Sequence, residues 1–324
     1  MSRFGVDDWD AAVAAVRDAP EIVVACHVNP DGDALGSLLG ASVALRARGA
    51  KTWPTWGARP VAVPPAYEFL PGVDDLVQPD DAPDAPVWLA LDCGAGDRLG
   101  ELEGRARRAP CVVNVDHHPG NDHFGTLNVV VPTASSTAQI VTHLLRDAGA
   151  AVGPDVATCL YTGIVTDTGW FQYASATPDV LRLAADLMAV GVDAPAIAQH
   201  VLESAPFGYL KLLGRVLERA VLHEEERLVY SWVTIADLRA TGVAPDATEK
   251  VIDHVRATSA ADVAAVFKEQ DDGRYRVSLR SKGRASVGAI ARANGGGGHE
   301  LAAGFTAPDL DAAIGAVVGA LRTS

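Results

Sequence analysis

The sequence predicts two α/β domains, the first of them built around a parallel β-sheet. The chain has 324 residues, which is more than one domain of ~150 residues requires. Short apolar runs alternate with helical patterns through the first half, as is typical of strands that are covered by helices on both faces. After a long helical stretch, strands with alternating polar and apolar faces return in the last third.

Three short apolar runs of the first half predict parallel strands, at 21–26, 87–91 and 111–115. A helix is predicted at 34–48, directly after the first strand and ending before Gly49. In open parallel sheets, ligands bind at the carboxyl ends of the strands. We therefore expect functional residues directly after these runs.

The second half begins with helical patterning from 178 to about 219 and continues with strand patterns at 227–233, 261–268 and 275–279. The sequence therefore predicts a smaller α/β domain that a helical connector joins to the first. The expected boundaries are 1–190 for the first domain, 191–219 for the connector and 220–324 for the second domain.

Composition narrows the class of protein. The formal net charge of −14 argues against a protein that binds long duplex nucleic acid through a broad basic face. No apolar run approaches the ~20 residues that cross a bilayer, and the first twenty residues lack the pattern of a signal peptide. We therefore expect a cytoplasmic protein with no membrane partner. The four cysteines show no CxxC spacing and predict buried free thiols.

The loop after the first predicted strand contains three potential metal ligands, His27, Asp31 and Asp33. An aspartate before a helix is also a common cap, so either carboxylate has a structural alternative. Two further strand ends have similar residues. Asp92 follows the run 87–91, and Asp116-His117-His118 follows the run 111–115, where solvated loop residues are the alternative.

Asp167 adds an independent argument. If a helix starts at Pro154, Cys159, Leu160 and Ile164 lie on one apolar stripe, and Asp167 continues that stripe. A buried carboxylate is unfavourable unless it is paired or bound to metal. Fraying of the helix near Gly169 is the alternative, and it would leave Asp167 in solvent.

The complete set of five Asp and three His contains no thiolate. Oxygen and imidazole ligands suit Mn²⁺ or Mg²⁺ better than structural zinc. Two such ions ~4 Å apart stabilise both the attacking and the leaving oxygen in phosphoryl displacement. We expect two divalent ions, with Mn²⁺ preferred to Mg²⁺.

The order of these motifs resembles the DHH phosphoesterase superfamily. The resemblance implies that His27, Asp31 and Asp92 hold one ion and that His118 faces the scissile phosphate. It also implies that Asp116 orients a neighbouring histidine. The second ion would be held by Asp33, Asp92, His117 and Asp167.

The last third of the chain contains a glycine run that ends in His299, with Arg280 at the end of a preceding strand. A flexible linker is the alternative, but an apolar segment follows the run immediately. Consecutive glycines let backbone N–H groups close around an anion. The region resembles the DHH-associated C-terminal domain of the nanoRNase/pAp phosphatase branch, which implies that Arg280, Gly297, Gly298 and His299 bind substrate phosphate, with the active site in the cleft between the domains.

By this resemblance we expect hydrolysis of short oligoribonucleotides (nanoRNA), of pAp, or of linear or cyclic dinucleotides such as pApA and c-di-AMP. The alternatives are an inorganic pyrophosphatase or exopolyphosphatase with the same metal site, and a nucleotide-binding module without catalysis. A homodimer is the general expectation for a soluble chain.

Overall fold

The computed structural model describes residues 3–322. They form two compact units, one up to Ser204 and the other from Ala205 onward. The predicted connector at 191–219 is divided between them, because helix Ala194–Leu202 belongs to the first unit and helix Phe207–Glu218 to the second.

The first unit contains a five-stranded sheet in which every neighbouring pair of strands is parallel. This confirms the predicted parallel sheet. The second strand in the chain was not predicted, and it lies at the sheet edge, where the missing N–H of Pro54 is tolerated. In the order β2-β1-β3-β4-β5, the strands are β1 (Glu21–Cys26), β2 (Lys51–Trp56), β3 (Val87–Leu91), β4 (Cys111–Asp116) and β5 (Leu127–Val130).

Helices cover both faces of this sheet, and the largest apolar cluster of the unit joins β1 to the helices on one face. The opposite face is covered by a smaller cluster around Trp88. The helices are α1 (Trp9–Asp18), α2 (Gly32–Ala47), α3 (Glu103–Ala106), α4 (Thr137–Asp147), α5 (Pro154–Asp167), α6 (Pro178–Ala189) and α7 (Ala194–Leu202).

Helices α2 and α5 pack in backbone contact. Gly32, Gly36 and Gly40 recur every four residues and therefore share one face of α2. A Cβ atom at Gly36 would lie 2.4 Å from the carbonyl oxygen of Cys159 on α5, a distance that only glycine permits. Because Gly32 faces Thr166 and Gly40 faces residues nearer the start of α5, the helices are antiparallel, and the first turn of α2 adjoins the last turn of α5.

The second unit contains a six-stranded mixed sheet, in which β7 and β8 are parallel and the other pairs are antiparallel. In the order β10-β11-β9-β8-β7-β6, the strands are β6 (Val221–His223), β7 (Leu228–Val233), β8 (Val263–Glu269), β9 (Tyr275–Ser281), β10 (Gly297–His299) and β11 (Ala302–Ala307). The helices are α8 (Phe207–Glu218), α9 (Ile235–Thr241), α10 (Val251–Val255), α11 (Val287–Ala293) and α12 (Leu310–Arg322).

The two faces of this second sheet differ. One face packs along β7, β8, β9 and β11 against α11 and α12. On the opposite face, residues of β7 and β8 form a second apolar cluster with α8 and α10. The predicted α/β fold class of the smaller domain is therefore confirmed.

Two expectations from the composition concern the cysteines and helices long enough to cross a bilayer. All four cysteines are free, and Cys111 is the one that is only half-buried. Across residues 3–322, no helix combines the length and the apolar composition that crossing a bilayer requires.

Candidate metal centre

The three neighbouring strands β1, β3 and β4 have their carboxyl ends side by side at one end of the first sheet. His27 follows β1, Asp92 follows β3, and Asp116 is the last residue of β4. Because these strands are adjacent and parallel, the three strand-end residues converge, as the sequence predicted from the strand ends.

The first group of potential ligands is formed by His27, Asp31 and Asp92. The Nε2 atom of His27 lies 3.5 Å from Oδ2 of Asp92 and 3.9 Å from Oδ1 of Asp31. Such distances are too long for direct hydrogen bonds. They fit two atoms around one shared ion, which at ~2.1 Å per bond are at most ~4.2 Å apart.

The second group is centred on His117. Its Nε2 atom lies 3.7 Å from Oδ1 of Asp92, 3.9 Å from Oδ2 of Asp33 and 3.5 Å from Oδ2 of Asp167. Asp92 takes part in both groups, with Oδ2 towards His27 and Oδ1 towards His117. The arrangement matches the donor set that two divalent ions with a shared carboxylate require.

Electrostatics also favour cations here. Burial, together with the charges of Asp92 and Asp167, raises the pKa of Asp33 well above its usual range. Burial likewise raises the pKa of Asp167 to about 7, although His117 opposes the shift. Burial alone would raise the pKa of Asp92, but His27 and the other nearby histidines outweigh burial and lower it. Crowded carboxylates in a poorly solvated site are stabilised by positive charge, so the residues present fit divalent ions.

Helix α4 anchors two of these carboxylates. The backbone N–H groups of Thr137 and Ala138 donate to the carboxylate of Asp33 at 2.6 and 2.8 Å, and the Thr137 hydroxyl donates to Oδ1 of Asp92 at 2.8 Å. Ser136 caps the helix by accepting from the backbone N–H of Gln139. These carboxylate contacts join residues that are 45 to 105 positions apart, so they leave no local signal in the sequence.

Asp31 has the capping role that the sequence left open. Its Oδ1 accepts from the backbone N–H groups of Asp33 and Ala34, and it is the N-cap of α2. Asp33 is not the cap. Asp167 is the last residue of α5, and its side chain is 30 % exposed, so it is neither frayed into solvent nor fully buried.

A chain of hydrogen bonds supports His118. Its Nδ1 lies 2.7 Å from Oδ1 of Asp116, while Oδ2 of Asp116 accepts from Nδ2 of Asn121 at 2.7 Å. Asn121 also donates to the carbonyl of Cys93 and accepts from Asn114. Burial alone would lower the pKa of His118, but the hydrogen bond to Asp116 and the charges of Asp92, Asp116 and Asp167 outweigh burial and raise it to about 9. Asn121 was missed in the sequence, where it appeared as an ordinary loop residue.

The predicted phosphate ligands of the second unit lie on β9 and β10, the two strands that flank β11 in the sheet. Arg280 of β9 pairs with Ala302 of β11, which pairs with His299 of β10, so Arg280 and His299 share one cross-strand row. Gly298 has a φ of 129°, which favours glycine, and it lies one residue away on the opposite face. Gly297 is exposed and lies on the same face as His299. Their role in phosphate binding stays a prediction.

Comparison with known proteins agrees with this architecture. Residues 21–164 match the N-terminal domain of the DHH family, and residues 225–322 match the DHHA1 domain. The chain is 37 % identical to the bifunctional oligoribonuclease and PAP phosphatase NrnA of Thermus thermophilus, over 96 % of this chain and 92 % of that protein. The protein of the same name from Bacillus subtilis is 27 % identical, over 90 % of this chain and 91 % of that protein.

Solved structures show the same fold. An exopolyphosphatase-related protein from Bacteroides fragilis aligns with a TM-score of 0.88 at 25 % identity, over 98 % of this chain and 96 % of that chain. RecJ from Thermus thermophilus, in complex with Mn²⁺, aligns with a TM-score of 0.56 at 16 % identity, over 98 % of this chain and 55 % of that chain. The chain therefore belongs to the DHH phosphoesterases, in the group that joins a DHH domain to a DHHA1 domain.

Proposed function

We propose that this protein is a metal-dependent phosphoesterase that hydrolyses short oligoribonucleotides and pAp to nucleoside monophosphates. The observation that carries the proposal is the pair of ligand groups that share Asp92. They occur in a chain that is similar, over nearly its whole length, to proteins named oligoribonuclease and PAP phosphatase. We also propose linear and cyclic dinucleotides, such as pApA and c-di-AMP, as substrates of this protein.

In this proposal the two ligand groups hold two divalent ions. His27, Asp31 and Asp92 hold one ion. Bound ions supply positive charge that stabilises the attacking and the leaving oxygen of a phosphate ester. Oxygen and imidazole donors favour Mn²⁺ or Mg²⁺, and we propose Mn²⁺, the ion in the RecJ complex. The residues of the second ion are Asp33, Asp92, His117 and Asp167.

The other proposed site residues orient His118 or bind the substrate phosphate. Asp116 holds the Nδ1 atom of His118 and thereby fixes the plane of the imidazole. The role proposed for His118 is to contact a phosphoryl oxygen of the substrate. Arg280 and His299 provide side-chain donors for a phosphate. Gly297 and Gly298 provide backbone N–H groups that no Cβ atom obstructs.

The proposal also covers location and partners. The acidic balance of the chain, with a formal net charge of −14, disfavours long duplex nucleic acid and suits small substrates that bind at a local positive site. We propose a cytoplasmic protein that acts without a membrane and associates as a homodimer. Sedimentation of the purified chain tests the last point.

A substrate panel tests the proposed activity. Product formation from pApA, pAp, c-di-AMP and inorganic pyrophosphate is measured side by side with Mn²⁺, with Mg²⁺ and with a chelator. We expect turnover of pApA and pAp with metal only, and none of pyrophosphate. Cleavage of pyrophosphate alone would assign the chain to the pyrophosphatases. Failure of the folded, metal-loaded protein to cleave any of the four would favour a nucleotide-binding module.

A matched pair of variants tests the metal centre. Asp92→Asn removes the carboxylate that both ligand groups share, and we expect a loss of activity of more than about a hundredfold. Asp81→Asn makes the same chemical change at an exposed position outside both groups and should leave activity unchanged. Calorimetric titration with Mn²⁺ provides a second readout, in which Asp92→Asn should lose binding.

A further inference from the structure

Thr137 is the residue through which helix α4 contacts both groups of potential metal ligands. Its backbone N–H donates to Oδ2 of Asp33 at 2.6 Å, and its hydroxyl donates to Oδ1 of Asp92 at 2.8 Å. Asp33 belongs to the second ligand group, whereas Asp92 takes part in both. Thr137 thus ties a carboxylate of one group to the carboxylate that the two groups share.

The first turn of α4 is held in place by bonds that do not involve Asp92. The first N–H groups of a helix have no partner inside the helix. In α4 the N–H groups of Thr137 and Ala138 donate to Asp33, and Ser136 caps the helix. The side chain of Thr137 is also fully buried. The position of its hydroxyl is therefore fixed independently of Asp92.

The hydroxyl of Thr137 differs from those of the other threonines in α4 and α5. A threonine inside a helix can donate its hydroxyl to the carbonyl oxygen four residues earlier. Four threonines do so at 2.7 to 2.9 Å, namely Thr142, Thr158, Thr162 and Thr166. A hydroxyl has one proton to donate. At Thr137, the first residue of α4, that proton goes to a carboxylate instead.

The backbone of Asp92 is fixed, whereas the plane of its carboxylate has no strong preference of its own. The backbone N–H donates to the carbonyl of Val115 at 3.0 Å, and the φ of 59° is unusual for a residue with a side chain. The torsion that turns a carboxylate is broad, so no rotamer holds the two oxygens in place. Nitrogens of three histidines lie 3.5 to 3.8 Å from these oxygens, and the Thr137 hydroxyl lies at 2.8 Å. Of these donors, the hydroxyl alone lies within ordinary hydrogen-bond distance.

The orientation of the Asp92 carboxylate decides whether it is shared. Oδ2 faces His27 of the first ligand group. Oδ1, which accepts from Thr137, faces His117 of the second group. A carboxylate can also bind one ion through both of its oxygens. A rotated Asp92 would offer both oxygens to one group and leave the other without its shared ligand.

We propose that Thr137 is a positioning residue that keeps Asp92 in the shared orientation and thereby lets the centre hold two ions instead of one. Its hydroxyl acts through Asp92. Loss of the hydroxyl would leave a buried carboxylate oxygen without its donor, which is unfavourable. Rotation towards a single ion would give that oxygen a new partner. The inference rests on the metal centre of the proposed function and adds the residue that sets the number of ions.

Calorimetric titration of the full-length, chelator-treated protein with Mn²⁺ counts the ions. Wild type should bind two ions per chain. Thr137→Val removes the hydroxyl at nearly constant volume, and it should bind one ion, or bind the second at least about tenfold more weakly. Thr137→Ser keeps the hydroxyl and should restore the second ion. If the valine variant does not fold, Thr137→Ala removes the hydroxyl in a smaller side chain and gives the same comparison.

Thr142→Val is the matched control on the same helix. Thr142 is as buried as Thr137, and its hydroxyl donates to the carbonyl of Ala138 and not to a carboxylate. The two valine variants therefore make the same chemical change in the same helix. Both should unfold at lower urea concentration than wild type, whereas Thr142→Val should keep both ions at wild-type affinity.

The possible outcomes separate this role from the proposed function. Two ions bound by Thr137→Val with wild-type affinity, an equal loss in Thr142→Val, or no recovery in Thr137→Ser overturns the positioning role. A wild-type protein that binds no Mn²⁺ overturns both the role and the proposed metal centre. If Thr137→Val loses one ion while wild type hydrolyses none of pApA, pAp and c-di-AMP, the positioning role is supported and the proposed function is refuted.

Discussion

Replacing Gly36 by alanine tests the backbone contact between α2 and α5. The new Cβ atom would lie 2.4 Å from the carbonyl oxygen of Cys159 and 2.9 Å from the backbone nitrogen of Gly163, whereas ordinary contact begins at 3.4 Å. Both neighbours are backbone atoms and cannot rotate away. The two helices must therefore separate by about 1 Å at this point.

The size of the effect follows from two opposing terms. Alanine in a helix is intrinsically more stable than glycine by about 1 kcal/mol. Overpacking of a core that cannot relax costs about 1–3 kcal/mol, and the forced separation also moves Asp33 on α2 away from Asp167 on α5. We expect a net loss of stability of up to about 2 kcal/mol, or up to about 8 °C in Tm.

The assay combines urea unfolding with a calorimetric titration of Mn²⁺. Gly214→Ala on α8 is the matched control, because nothing lies within 4 Å of its Cβ atom, and it should be neutral or stabilising by up to about 1 kcal/mol. If Gly36→Ala is as stable as wild type and binds Mn²⁺ equally well, the close packing of α2 and α5 does not determine the geometry of the centre.

Three other perturbations probe separate parts of the molecule. Asn121→Asp keeps the acceptor oxygen and loses the donor to Asp116, so kcat should fall about 10–100-fold with little change in KM; unchanged kcat would show that Asn121 does not position Asp116. Mn²⁺ at a hundred times its Kd should raise stability by about 2.7 kcal/mol and Tm by about 5–10 °C, and a chelator should reverse the shift in a calorimetric scan. Burial alone would raise the pKa of Asp237, but hydrogen bonds from Arg219 and Thr234 together outweigh burial and lower it to about 2. The unfolded pKa is about 3.9, so this carboxylate stabilises the fold above about pH 4 and the contribution of about 2 kcal/mol is lost as the pH falls towards 2. Urea unfolding of Asp237→Asn should show a flatter pH dependence in that range, and an unchanged slope would contradict the assignment.

The sequence predicted the elements whose signal is local. β1, β3 and β4 are apolar runs, and their ends marked the ligand groups. β2 was missed because Pro54 interrupts its pattern, and its position at the sheet edge explains why the proline is tolerated. β10 was read as a glycine cradle, and the structure shows that part of the run is itself a strand paired with β11.

The contacts that the sequence could not predict are those between distant segments. Thr137 and Ala138 meet Asp33 across more than a hundred residues, and only the folded sheet brings them together. Asn121 is within five residues of Asp116, but its role depends on the conformation of the loop between them. In both cases the sequence shows that a residue able to form the hydrogen bond is present, but it does not show that the folded chain brings that residue to its partner.

The convergence of β1, β3 and β4 has a consequence for folding kinetics. The donors at their ends are separated by as many as ninety residues in the sequence, from His27 to His117, and parallel pairing between distant segments forms slowly. Until these strands align, a metal ion would find only isolated aspartates and histidines. Interactions that are absent from the transition state slow unfolding and leave the folding rate nearly unchanged. Metal would thus lengthen the lifetime of the folded protein without hastening its formation.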